Sequence, residues 1–164
     1  IDGLVDGHQP VVAIVYDPNR DECFTAWQGG GTQLNGRTVR CAQRGHLSDG
    51  LVATGFPHWD FDRMDEYLKA LTAYARGSRG IRRMGSAAID LAYVACGRFD
   101  LFFEYSLQPW DIAAGLLLVQ EAGGITCTFS GQDDAEAMLS GAETFAAAPG
   151  IAKEGLGVIR SAFG

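Results

Sequence analysis

The 164-residue sequence predicts an α/β layered protein with a mixed sheet, and three observations carry that prediction. Residues 1–50 break into short strand-like runs separated by turn residues, which reads as the end of a meander sheet. From residue 51 to 164, strand-like segments alternate with helical ones, the pattern of helices layered on a sheet. Every residue from Ile112 to Val119 is apolar or glycine, so a helix there has no solvated face and belongs inside the protein.

The elements follow in order. Leu4–Pro10 and Val11–Tyr16 read as two strands joined by a turn at Asp6-Gly7, with a second turn at Asp17-Pro18-Asn19-Arg20-Asp21. Glu22–Trp27 is the next strand, Gly29-Gly30-Gly31 a bend, and Thr32–Arg37 a further strand and turn. The triple glycine is not a phosphate loop, because neither Lys-Ser/Thr nor a helix follows it. Leu51–Phe56 is a strand closed by Pro57, and Met64–Tyr74 an amphipathic helix with Met64, Tyr67, Leu68, Leu71 and Tyr74 toward the core. Gly80–Met84 is a short strand, and Gly85–Gly97 a helix with Ser86 as N-cap and Gly97 as its stop. Leu101–Tyr105 is an aromatic strand carrying Glu104. Pro109 opens the apolar helix and Gly123-Gly124 ends it. Ile125–Phe129 is a strand, Gln132–Glu136 an acidic solvated loop, Thr144–Pro149 a strand, and Ile151–Phe163 a last helix weakened by Gly155 and Gly157.

Composition limits the function classes. A hydrophobic fraction of 47% with 20% charged residues is ordinary for a globular domain. A net charge of −7 argues against a nucleic-acid backbone or an anionic membrane as partner. No apolar run approaches the ~20 residues that span a bilayer, and no signal-peptide pattern stands at the start, so a cytoplasmic location is expected. Cys23, Cys41, Cys96 and Cys127 are far apart in sequence and read as free thiols rather than a zinc or disulfide framework.

Three places carry polar chemistry. Asp111 falls in the first turn of the apolar helix, where it either complements the helix dipole or answers its desolvation with a cation. Glu104 either turns to solvent by strand alternation or reaches a ligand. Gly85-Ser86-Ala87-Ala88 opens a helix whose free N–H groups can meet an anion or a hydroxyl, or be simply capped.

Trp110-Asp111-Ile112-Ala113-Ala114-Gly115 followed by Glu121-Ala122-Gly123-Gly124 resembles the C-terminal signature of the inositol monophosphatase family. Tyr16-Asp17-Pro18, Gly30-Gly31, Leu34-Asn35-Gly36, Ala53-Thr54-Gly55-Phe56-Pro57 and Gly85-Ser86-Ala87-Ala88 match the same family in order and spacing. The resemblance implies α-β-α-β-α layers, Mg²⁺ as cofactor, a homodimer, and hydrolysis of a small polyol phosphate such as inositol monophosphate. Histidinol phosphate, fructose bisphosphate and adenosine 3′,5′-bisphosphate are the alternative substrates within the superfamily. It makes Asp111 a metal ligand and substrate contact, and places Gly85, Ser86, Ala87 and Glu104 against the alcohol.

The chain also departs from the family pattern. Relatives carry an acidic pair and then D-P-[IL]-D-G-T upstream of the segment matched here; Ile1-Asp2-Gly3 repeats part of the latter, but Leu4 stands where Thr is expected. No water-activating catalytic residue is therefore expected within this chain. It has no initiator Met and starts in strand-like sequence, so it reads as the C-terminal portion of a longer parent, inactive by itself. The reading from a different class is a non-catalytic binding or dimerisation module.

Overall fold

The computed structural model describes residues 2–6, 9–57 and 59–164; Gly7 of the predicted first turn lies outside them. Five antiparallel strands form a meander: β1 (Asp2–Asp6), β2 (Gln9–Asp17), β3 (Glu22–Trp27), β4 (Gly31–Leu34) and β5 (Arg37–Val39). Asp2 and Gly3 run within β1, paired to Ile14 and Ala13. The period of two is clean on β2, where Ala13, Val15 and Asp17 are buried while Val12, Ile14 and Tyr16 are exposed.

The second sheet is mixed and has the order β7-β6-β8-β10-β9. Its strands are β6 (Leu51–Thr54), β7 (Gly80–Arg82), β8 (Leu101–Tyr105), β9 (Ile125–Cys127) and β10 (Glu143–Ala147). Strand β6 runs parallel to β7 and β8, whereas β10 is antiparallel to β8 and β9. Helices α2 (Ala87–Ala95) and α3 (Pro109–Glu121) lie between the two sheets, and α1 (Met64–Gly77) with α5 (Pro149–Phe163) covers the far side of the second. The described residues thus build β-α-β-α, four of the five layers that the resemblance implies.

Close approach of α2 and α3 depends on Gly115: a Cβ there would lie 2.5 Å from Leu91 Cδ1 and 2.6 Å from Leu91 Cβ. The C-terminal end of α3 grips the meander. Glu121 accepts hydrogen bonds from the Gly29 and Gly31 N–H groups at 2.8 and 2.9 Å, and the Thr32 hydroxyl donates to the Leu118 carbonyl at 2.6 Å. The triple glycine is therefore a turn, with Gly29 and Gly31 at φ 76°, and the glutamate of Glu121-Ala122-Gly123-Gly124 is the clasp that holds it.

Several local expectations change. In α1 the buried side chains are Tyr67, Ala70 and Tyr74, while Leu68 is 48% exposed, because the stripe facing the sheet is narrower than the apolar spacing suggested. The acidic loop contains a short helix, α4 (Ala135–Leu139), which Asp134 starts by accepting the Ala137 N–H at 2.9 Å. Helix α5 begins at Pro149, and Gly155 gives it contact with the sheet, since a Cβ there would collide with Leu101.

All four cysteines are free. Burial pushes the Cys41 thiol up to about 12 and Cys127 up to about 11. Thiol titration at neutral pH should therefore find these two protected in the folded state and all four reactive in denaturant, and rapid labelling of Cys41 without denaturant would contradict the packing.

Candidate active site

A cleft of about 260 Å³ opens where the end of β6, the start of α2 and the junction of β8 with α3 meet. Gly55, Phe56, Arg83, Glu104, Leu107 and Asp111 line it together with Gly85, Ser86, Ala87 and Ala88. All five side-chain or backbone positions expected from the sequence, Gly85, Ser86, Ala87, Glu104 and Asp111, come together here from separate stretches of chain.

Glu104 does not turn to solvent. Both faces of the second sheet are covered, so all five residues of β8 are buried and alternation only chooses which helix layer a side chain meets. Glu104 is 7% exposed, and its carboxylate lies across Gly55, just past the end of the neighbouring strand β6, where any Cβ would collide with it. The Gly55 carbonyl is held from the other side by the Tyr67 hydroxyl, which donates at 2.8 Å. Burial, with the negative charges of Asp90 and Asp111, pushes the Glu104 carboxyl up to about 8.

Asp90 went unnoticed in the sequence because it reads as one polar residue on an otherwise apolar helix. It is 1% exposed, and neither carboxylate oxygen makes a well-shaped hydrogen bond among the described residues, although the Met84 backbone amide and the Arg83 charge favour its ionised form. Desolvation pushes it up to about 7. For both acids the folded-state value lies above the unfolded one, so the native state binds more protons and their contribution to stability is lost as pH rises through about 7 to 8. The melting temperature should accordingly fall between pH 5 and pH 8.5 in the absence of added metal, and Glu104→Gln should flatten that slope; an unchanged slope would refute the assignment.

The structure corrects one step about Asp111. Helix α3 is buried over most of its length, but its first turn emerges at the cleft: Trp110 is 70% exposed and Asp111 only half-buried. Asp111 also caps its own helix, accepting the Gln108 N–H at 3.1 Å, while its N–H donates to the Gln108 carbonyl at 2.9 Å. Desolvation alone therefore does not demand a cation at Asp111. Asp111 lines the cleft, and among the described residues its other carboxylate oxygen takes no hydrogen bond, the donor type a hard divalent cation prefers.

Among the described residues no three or more His, Cys, Asp or Glu side chains are grouped to hold a metal ion. The cleft thus fits such an ion in the kind of oxygen that Asp111 offers, but the described residues do not gather a set that would hold one. Ser86 occupies the N-cap position of α2 with extended backbone, but its hydroxyl makes no capping bond. The first intrahelical bond runs from the Asp90 N–H to the Ser86 carbonyl at 2.9 Å, so the earlier amides of α2 have no partner within the helix.

Two sheets enclosing a helix layer, with a carboxylate and helix-terminus cleft at one end, define a layered α/β fold of the sugar-phosphatase type. An inositol monophosphatase from Anabaena superposes with a TM-score of 0.90 at 31% identity, over 97% of this chain and 63% of that one. The extragenic suppressor protein SuhB from Bartonella henselae superposes at 0.86 with 39% identity, over 93% and 57%. The chain belongs to the inositol monophosphatase family, whose model matches residues 3–161. It is 48% identical to the Nus factor SuhB of Xylella fastidiosa over 79% of this chain and 47% of that protein. It is 52% identical to an inositol-1-monophosphatase of Rhizobium meliloti over 70% of this chain and 43% of that protein. The chain spans about half the length of the curated relatives it matches. Among the described residues no helix is long and apolar enough to cross a membrane.

Proposed function

We propose that the parent of this chain is a magnesium-dependent phosphomonoesterase acting on a small polyol phosphate such as inositol monophosphate, and that this segment supplies the alcohol side of the site. The observation that carries the reading is the convergence of Glu104, Asp111 and the α2 N-terminus on one cleft. Magnesium, when bound, would supply charge stabilisation at the phosphate and an activated water. Asp111 offers it an oxygen and, through the Gln108 N–H, stays fixed in orientation. Glu104, buried beside Gly55, meets a ligand hydroxyl as donor when protonated and as acceptor when ionised. Ser86, Ala87 and Ala88 at the start of α2 line the same cleft, where free leading amides suit an oxygen of the ligand.

The test is phosphate release from inositol 1-phosphate by the full-length parent across a magnesium titration. Turnover that requires magnesium supports the reading, and its absence at every magnesium concentration overturns it. The chain of residues 1–164 alone should release none, because Asp111 is its single metal-ligand candidate among the described residues. A second reading is favoured by the name Nus factor SuhB borne by several relatives: the parent acts as a binding module, its family surface used for assembly in place of turnover. A parent that is dimeric, binds no magnesium and releases no phosphate would support that alternative.

A further inference from the structure

The chain enters the cleft from β8 through Ser106, and its backbone is strained there. Ser106 stands at φ 64°, in the left-handed region that a residue with a side chain enters only at a cost. It is the first residue past β8, so the direction it sets carries Leu107, Gln108 and the first turn of α3. Leu107 and Asp111 line the cleft, and Asp111 is held by the N–H of Gln108, two residues beyond Ser106.

This turn is supported from two sides. On one side the support is backbone: the Ser106 N–H donates to the Ala142 carbonyl at 3.0 Å and the Leu107 N–H to the Gly141 carbonyl at 2.9 Å. On the other side it is a side chain from a remote part of the sequence. Asp60, in the connection from β6 to α1, accepts the Ser106 hydroxyl on Oδ2 at 3.0 Å, a bond strengthened by the carboxylate charge. Asp60 is itself fixed at two further atoms. Its Oδ1 accepts the Asp62 N–H at 3.0 Å, and its carbonyl accepts the Tyr105 hydroxyl at 3.1 Å. Burial and the Asp60 charge push that hydroxyl up, so it remains a donor at neutral pH. The neighbours of Asp60, Trp59 and Phe61, are 54% and 57% exposed, so Asp60 is the point at which this connection is tied to the end of β8. Asp60 does not line the cleft, and it reaches the cleft only through the residues it holds.

We propose that Asp60 is a positioning residue: by holding Ser106 in its left-handed turn it sets how Leu107 and Asp111 are presented to the cleft. The proposal rests on the phosphomonoesterase reading for its turnover measurement alone. A glycine at position 106 would take φ 64° without a side-chain partner, so the need for Asp60 should vanish in Ser106→Gly.

The experiment is a double-mutant cycle in the full-length parent, with Asp60→Ala, Ser106→Gly, the two combined, and Asp60→Asn. The first readout is amide hydrogen exchange, without added metal, in a peptide spanning Ser106 to Ile112. The second is turnover of inositol 1-phosphate, resolved into kcat and KM. Asp60→Ala is expected to speed exchange in that peptide about tenfold and to lower kcat by a similar factor, the worth of one lost charge-assisted bond, with KM changed by less than about twofold. Ser106→Gly should stay near wild type, and adding Asp60→Ala to it should change neither readout further. Asp60→Asn should restore most of both, because its amide oxygen can accept the Asp62 N–H while its NH₂ meets the Ser106 hydroxyl. Faster exchange confined to the connection around Asp60, or an Asp60→Ala effect that is equally large in the Ser106→Gly background, would overturn the proposal. A parent without turnover, whose exchange still follows the cycle, would sink the phosphomonoesterase reading and leave the positioning role standing.

Discussion

In the full-length parent, Asp111→Asn is expected to lower magnesium-dependent turnover by at least about a hundredfold, a loss of about 2.7 kcal/mol of transition-state stabilisation, while the melting temperature stays nearly unchanged. The substitution separates the capping role seen at this carboxylate from the proposed role as a metal ligand. As a cap, Asp111 accepts the Gln108 N–H, and an amide oxygen can do the same. As a ligand, it would contribute a negative charge and a hard oxygen at the cleft, and the amide would offer much less to a small divalent ion. The half-exposed first turn of α3 means that neither form carries a large burial penalty, so the fold should tolerate both. The measurements are turnover across a magnesium series and thermal unfolding in parallel. Near-normal turnover would show that capping is the whole role of Asp111. A collapsed melting temperature would show that the cap matters more than the capping geometry implies.

The second large effect concerns the fold. Gly115→Ala is expected to destabilise the parent by about 1–3 kcal/mol, even though alanine is the better helix former. The added methyl would meet the Cβ and Cδ1 of Leu91 at 2.6 and 2.5 Å, and because Leu91 Cβ is fixed to the α2 backbone, the two helices must separate. That separation disturbs the layer between the sheets and the start of α2 at the cleft. The same substitution at Gly157 in α5 has the opposite expected sign: a Cβ there meets nothing within 4 Å, so Gly157→Ala should stabilise by about 0.5–1 kcal/mol through helix propensity. At about 2–4 °C per kcal/mol for a domain of this size, denaturation curves resolve both. Two changes of the same sign would mean that propensity, not packing, governs α3.

Much of this was legible in the residues. Pro109 and the Gly123-Gly124 pair bound α3 as expected, and the turn residues at 17–21, 29–31 and 35–36 separate strands of the meander, because capping and turn geometry are decided within a few residues. The short motifs around Gly85, Glu104 and Asp111 named the stretches that meet in the cleft. Their meeting could not be seen, since it depends on β6 pairing in parallel with β8 across a connection that holds all of α1 and α2. Glu104 shows the difference most clearly. Its alternation signal assumed one wet face, and that assumption failed when helices covered both sides of the sheet.

The sequence alone determined the strand meander, the ends and buried character of α3 and the free thiols, all consequences of local backbone preference and of apolar side chains that have nowhere else to go. Only the tertiary structure decided the electrostatics. Asp90 became a buried acid because α2 is enclosed by two layers, Glu104 was buried because helices cover both faces of its sheet, and Asp111 stayed half in solvent because α3 emerges at its first turn. Burial is a property of the assembled layers, and a charge's ionisation follows from how much water those layers leave around it.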